Sequence, residues 1–167
     1  MSLGGGGFST AMNDAVRDAS TRGHFCISAA GNSGVDTSNS FPAAYDFSLA
    51  IGASDVNDNM ASFSNHGALN DNQAPGVSTW GAASRHSSWS DGCPDRNNCF
   101  LAISGTSMAC PVLAGVVARR TDFHGAGNWG NMQNWMHSTS GANNPNQLSL
   151  SVAQRFTPNR LVIKQEC

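Results

Sequence analysis

Ser107 is the residue in this chain whose neighbours suit it to covalent chemistry. It stands in Ser104-Gly105-Thr106-Ser107-Met108-Ala109-Cys110-Pro111. An apolar run, Phe100-Leu101-Ala102-Ile103, enters this stretch, and a run of small residues from Val112 to Ala118 leaves it. The pattern reads as a strand, a tight glycine turn and a helix whose first turn carries Ser107. That first turn holds backbone N–H groups with no partner inside the helix, together with the positive end of the peptide dipoles. A serine there is exposed, firmly aimed and next to a donor suited to an oxyanion. Gly105 and Ala109 are small enough for a substrate main chain to approach. An ordinary helix cap is the competing reading, since Ser and Thr are common at such positions.

The rest of the chain must supply the elements that hold this serine. Residues 9–22 read as an amphipathic helix: Ser9 or Thr10 can cap it, Ala11, Ala15, Val16 and Ala19 recur at helical spacing, and Gly23 can end it. Asp14, Arg17, Asp18 and Arg22 then lie on its solvated face. Residues 24–30 read as a buried strand that ends in Gly31-Asn32-Ser33-Gly34. A strand–helix–strand unit of this spacing predicts a right-handed crossover in a parallel sheet, with functional loops at the carboxyl ends of the strands. Asn32 lies at such an end, although Asn-Ser-Gly by itself is only a turn signal. A polar loop over 35–46, a second buried strand over 47–54, and a strand and turn over 61–67 follow. Residues 80–99 read as a loop in which Trp80 and Trp89 are packing residues, and 128–139 as a short helix with Trp129, Met132 and Met136 on one face.

Composition narrows the function class. The chain has 167 residues, enough for one domain with a real core. Hydrophobic residues make up 40% and charged residues 12%, which points to a loop-rich globular α/β protein. A net charge of −2 gives no reason to expect nucleic acid or an anionic membrane as partner. No apolar run is long enough to span a bilayer. No N-terminal stretch reads as a signal peptide. Cys93 and Cys99 flank a short polar loop and suit a local disulfide, with two free thiols as the alternative, because spacing does not decide pairing. Zinc is not expected, since no second Cys or His pair sits at ligand spacing. Cys26 and Cys110 read as buried small hydrophobes.

Gly105-Thr106-Ser107-Met108-Ala109, followed one residue later by Pro111, resembles the nucleophile motif of the subtilisin-like serine proteases, the subtilases. Ser2-Leu3-Gly4-Gly5 is similar to the segment that lines the substrate groove in that family and pairs with the peptide backbone as an added strand. Ala29-Ala30-Gly31-Asn32 resembles the segment whose Asn side chain donates to the oxyanion. The resemblance implies that Ser107 and Asn32 are catalytic. It makes Ser2, Leu3, Gly4, Gly5, Ala29, Ala30, Gly31 and Thr106 substrate-binding, with Ala29, Ala30 and Gly31 forming a pocket wall. Gly52-Ala53-Ser54-Asp55 and Ser62-Phe63-Ser64-Asn65 lean toward the proteinase K branch. Asp71 falls where that branch places a calcium-binding carboxylate, with main-chain carbonyls from about Asp46 and Ser48. Calcium takes such mixed oxygen sets, though a solvated loop aspartate is the competing reading. The calcium would be structural, with no cofactor required for the chemistry. Thr157 to Ile163 resembles the closing strand of proteinase K-like enzymes.

The family's triad Asp and His lie in Asp-Thr/Ser-Gly and His-Gly-Thr segments, and neither occurs here. None of His24, His66, His86, His124 and His137 is followed by Gly-Thr. The resemblance therefore implies a partial three-layer subtilisin-like α/β fold, a mostly parallel sheet flanked by helices, with N-terminal strands and helices missing. The whole chain, 1–167, would be the C-terminal part of a catalytic domain. The expected function is peptide-bond hydrolysis through an acyl-enzyme on Ser107, nearly silent without the positioned base. The expected partners are a peptide or protein substrate and the missing N-terminal part of the domain, and the expected setting is extracellular. The alternative is a non-catalytic module that binds a peptide or partner strand.

Overall fold

Three parallel strands carry the loops of interest: β1 (Cys26–Ala29), β2 (Ser48–Ser54) and β3 (Asn70–Pro75), in that spatial order. The structure is a computed structural model and describes residues 1–83, 100–125 and 127–139. Trp89, the Cys93/Cys99 pair, His86 and the closing strand expected at Thr157 to Ile163 lie outside the described residues, as does the side chain of His137. The central strand β2 is buried at all seven positions, as a parallel strand covered on both faces must be. It pairs with β1 from Cys26↔Ser48 to Ala29↔Ile51, and with β3 from Ala50↔Asn70 to Ser54↔Pro75, with one irregularity between Ala50 and Ile51. Met1 lies along the free edge of β1. The Ala29 N–H donates to the Met1 carbonyl at 3.1 Å, and the Met1 amino group donates to the Ile27 carbonyl.

The first helix, α1 (Thr10–Thr21), falls within the 9–22 stretch that the spacing predicts as a helix. The Ser9 hydroxyl accepts from the Met12 N–H at its start. Val16 and Ser20 are its buried residues, while Asp14–Arg17 and Asp18–Arg22 form ion pairs on its exposed side. Two further helices cover the sheet: α2 (Thr106–His124) and α3 (Trp129–Thr139). Leu113 and Val117 of α2, with Met132 and Met136 of α3, join Ile27, Leu49, Ile51 and Ala53 in one core cluster. Alternate residues of β1 and β2 face that cluster, as the two-residue period of a strand dictates.

Two expectations from the sequence are corrected. Residues 61–67 form turns instead of a strand. The Ser64 hydroxyl reaches β2, accepting from the Ala53 N–H at 2.9 Å, and donates to the neighbouring Asn65 carbonyl at 3.0 Å. Trp80 is 72% exposed and does not pack. It lies on β4 (Thr79–Ala82), which pairs antiparallel with β5 (Phe100–Ile103). In that register Trp80, Ala82, Phe100 and Ala102 share one face, and all four are exposed, while Leu101 and Ile103 on the other face are half-buried.

The turn from β5 into α2 is seated on the end of β3. The Gly105 N–H donates to the Gly76 carbonyl at 2.7 Å. A Cβ on Gly76 would stand 2.6 Å from the Ala53 Cβ and 2.9 Å from the Gly105 carbonyl, so only glycine allows this approach. Leu113 holds the same helix from below and is fully buried. Leu113→Ala is expected to lower stability by about 2–5 kcal/mol, read as a shifted midpoint in denaturant unfolding with unchanged slope.

Candidate active site

Ser107 is the second residue of α2, so its N–H belongs to the first turn and has no partner within the helix. Its carbonyl would ordinarily accept from the residue four positions on. That residue is Pro111, which has no N–H. The Ser2 hydroxyl takes that place and donates to the Ser107 carbonyl. The Ser2 side chain thus supports the main chain of Ser107.

Asn32 reaches the same turn from the end of β1. Its Oδ1 accepts from the Thr106 N–H at 2.8 Å and from the Thr106 hydroxyl at 3.0 Å. The Thr106 oxygen in turn accepts from the Gly31 N–H at 3.1 Å. With Oδ1 committed to Thr106, the Asn32 Nδ2 is left as the donor on the other side of the amide. Asn32 is exposed and Thr106 is buried. Asn32 is thus bonded to the residue next to Ser107, and Asn32 and Ser107 line the same cleft at the carboxyl end of β1.

A cleft of about 760 Å³ opens at this cluster. Leu3, Gly4, Gly5, Ala29, Gly31, Asn32, Thr106 and Ser107, all singled out from the sequence, line it. Gly5 is fixed there by two bonds of 2.8 Å with the main chain of Phe41. Ala30 lies behind the wall, fully buried, with its N–H on the Ile51 carbonyl. The sequence reading missed the polar part of the lining, formed by Ser33, Asp36, Asn39, Ser40 and Asn65. The hydroxyl and N–H of Ser38 hold the Asp36 carboxyl below the usual carboxylate range, so it stays ionised. Among the described residues no histidine lines the cleft. Cys110 is buried one turn below, its thiol donating to the Ile27 carbonyl at 3.4 Å, and burial pushes its pKa up.

A parallel α/β sheet with a serine at the mouth of its longest described helix, beside an amide donor from a strand end, defines a class of hydrolase-like sites. The Subtilase family profile matches residues 1–156, and the chain belongs to that family. It is 41% identical to Subtilisin DY of Bacillus licheniformis over 121 residues, covering 71% of this chain and 40% of that protein. It is 42% identical to Subtilisin-like protease 2 of Pseudogymnoascus destructans over 118 residues, covering 71% of this chain and 27% of that protein. A crystal structure of a cold adapted subtilisin-like serine proteinase superposes with a TM-score of 0.81 at 31% identity, over 100% of this chain and 54% of that one. The chain thus spans well under half the length of these two curated relatives.

The residues considered for calcium are arranged for hydrogen bonding. Asp71 is a buried residue of β3, not a solvated loop carboxylate. Its Oδ2 accepts from the Ala50 N–H and its Oδ1 from the Gln133 side-chain amide of α3, each at 2.8 Å. Asp46 is exposed in the turn before β2, and the Ser48 hydroxyl is paired with that of Ser28 at 2.6 Å. Among the described residues no three His, Cys, Asp or Glu side chains gather as a cation site. Both Asp71 oxygens meet N–H donors, which makes the carboxyl a clamp between β2, β3 and α3. Burial raises the Asp71 pKa from 3.8 to about 6 against those hydrogen bonds. A carboxyl raised in the folded state contributes stability that is fully present below its unfolded pKa and is lost as pH rises through the folded one. Stability should fall by up to about 3 kcal/mol between pH 4 and pH 7 from this group. Asp71→Asn should flatten that part of the profile, measured by urea unfolding across the range.

Proposed function

We propose that the chain is the Ser107-bearing part of a serine endopeptidase that acts on peptide or protein substrates outside the cell. The observation that supports this reading best is the fixed amide of Asn32 beside the helix turn of Ser107. In this reading the Ser107 Oγ attacks the scissile carbonyl carbon and gives up its proton to a base. The carbonyl oxygen takes the negative charge and receives hydrogen bonds from the Asn32 Nδ2 and the Ser107 N–H. Collapse expels the amine, protonated by the same base, and leaves an ester on Ser107. Water, activated by that base, then releases the acid and restores the serine. The glycine-lined wall at Gly4 and Gly5 offers main-chain groups that bind peptides of varied sequence. The segments Gly52 to Asp55 and Ser62 to Asn65 favour the proteinase K branch of the family.

The base and its carboxylate come from a partner segment that carries the Asp-Thr/Ser-Gly and His-Gly-Thr motifs. One observation favours a second reading, a non-catalytic module that holds a peptide without cutting it: no histidine lines the cleft among the described residues.

A fluorophosphonate probe separates the two. Mixed with a polypeptide bearing both motifs, the chain should become labelled at Ser107, and Ser107→Ala should abolish the label. Asn32→Ala should leave folding intact and slow peptide hydrolysis by about 10²–10³-fold in kcat. A folded assembly that takes no label establishes the binding-module reading instead.

A further inference from the structure

Asn65 is one of the residues that line the cleft and is 2% exposed. A side-chain amide has two donors and two acceptor sites, and here each is used. Its Oδ1 accepts from the N–H groups of Ser33 at 3.0 Å and Val35 at 3.3 Å. Its Nδ2 donates to the Ala30 carbonyl at 3.0 Å and to the Ser40 hydroxyl at 2.8 Å. Its main-chain N–H donates to the Gly31 carbonyl at 2.9 Å. Ala30, Gly31, Ser33 and Val35 bracket Asn32 on both sides, so one buried residue grips the whole loop that carries the amide donor.

The grip is tight enough to restrict the loop's own residues. Gly31 has a φ of +109°, and a Cβ there would stand 2.4 Å from the Asn65 Nδ2. The Asn65 carbonyl is itself held by the Asn70 side-chain amide at 2.8 Å, which ties the loop to β3. Asn65 does not reach Ser107. Its route to the chemistry runs through the loop to Asn32, whose Oδ1 must meet Thr106 for Nδ2 to face the other way.

We infer that Asn65 is a positioning residue for peptide hydrolysis, fixing the 30–35 loop so that Asn32 presents its Nδ2 at the oxyanion. The inference deepens the endopeptidase reading and rests on it for its kinetic consequence, but its geometric consequence does not.

The Thr106 backbone N–H, which donates to Asn32 at 2.8 Å, is the reporter for the geometry. In Asn65→Ala its hydrogen exchange should accelerate by about 10-fold or more, while the Leu113 N–H, deep in α2, keeps its protection. Unchanged exchange at Thr106 in a folded variant overturns the inference. Should Asn65→Ala fail to fold, Ser40→Ala removes one of the four amide partners and should give about a threefold acceleration at Thr106. No acceleration there overturns the inference too.

Turnover by the complete assembly gives the second arm. Asn65→Ala should lower kcat by about 10²-fold, and adding it to Asn32→Ala should cost nothing further, because both changes remove the same donor. Multiplying losses would mean that Asn65 acts elsewhere, which overturns the inference. An assembly that shows faster Thr106 exchange but no hydrolysis in the wild type upholds the positioning and defeats the endopeptidase reading alone.

Discussion

Each segment that meets near Ser107 arrives with polar backbone groups that it cannot satisfy by itself. Strand ends and the first turn of a helix both leave N–H and carbonyl groups without partners, and burying them unpaired is costly. The structure meets this constraint with short side chains reaching across from neighbouring segments. Asn32 takes the Thr106 N–H, Thr106 takes the Gly31 N–H, Ser2 takes the carbonyl freed by Pro111, and the Asn65 side chain takes three groups of the 30–35 loop while its own N–H takes a fourth. The same bonds that satisfy the backbone orient the site. Asn32 can present a donor outward only because its oxygen is needed inward.

Small residues make that arrangement reachable. Gly76 lets the turn of Gly105 rest on the end of β3, and Gly31 leaves room for the Asn65 amide. The cleft is consequently walled by main chain at Gly4, Gly5 and Gly31 and by the short polar side chains of Ser33, Asn39, Ser40 and Asn65. Rigidity beneath it comes from the packed layer of Leu113, Val117, Leu49 and Ile51, and from the clamp of Asp71 between the strands and α3. The cost of that clamp is a buried carboxylate, tolerable because both oxygens are hydrogen-bonded.

Most of the site was legible before any coordinates, and most of what was missed is polar. Ser107, Asn32 and Leu3 to Gly5 belong to local strings whose order carries the chemistry, and the cleft gathers them. Strand β3 gave no apolar signal, because Asn70, Asp71, Asn72 and Gln73 are buried by hydrogen bonding and not by hydrophobicity. Turn formation at 61–67 and the exposure of Trp80 escaped for related reasons. The first depends on hydroxyls that bond to a distant strand, the second on which side of a two-stranded ribbon the core occupies.

The amino-acid order alone determined the helices, the two apolar strands, the serine turn and the family to which the chain belongs, because periodicity and contiguous motifs are local properties. Tertiary structure decided which amide faces which way, that Asn65 rather than a neighbour grips the 30–35 loop, and that Asp71 answers to Gln133. Those outcomes depend on groups 30 to 74 positions apart in the chain meeting at hydrogen-bond distance. Only the packed sheet and helices bring such groups together.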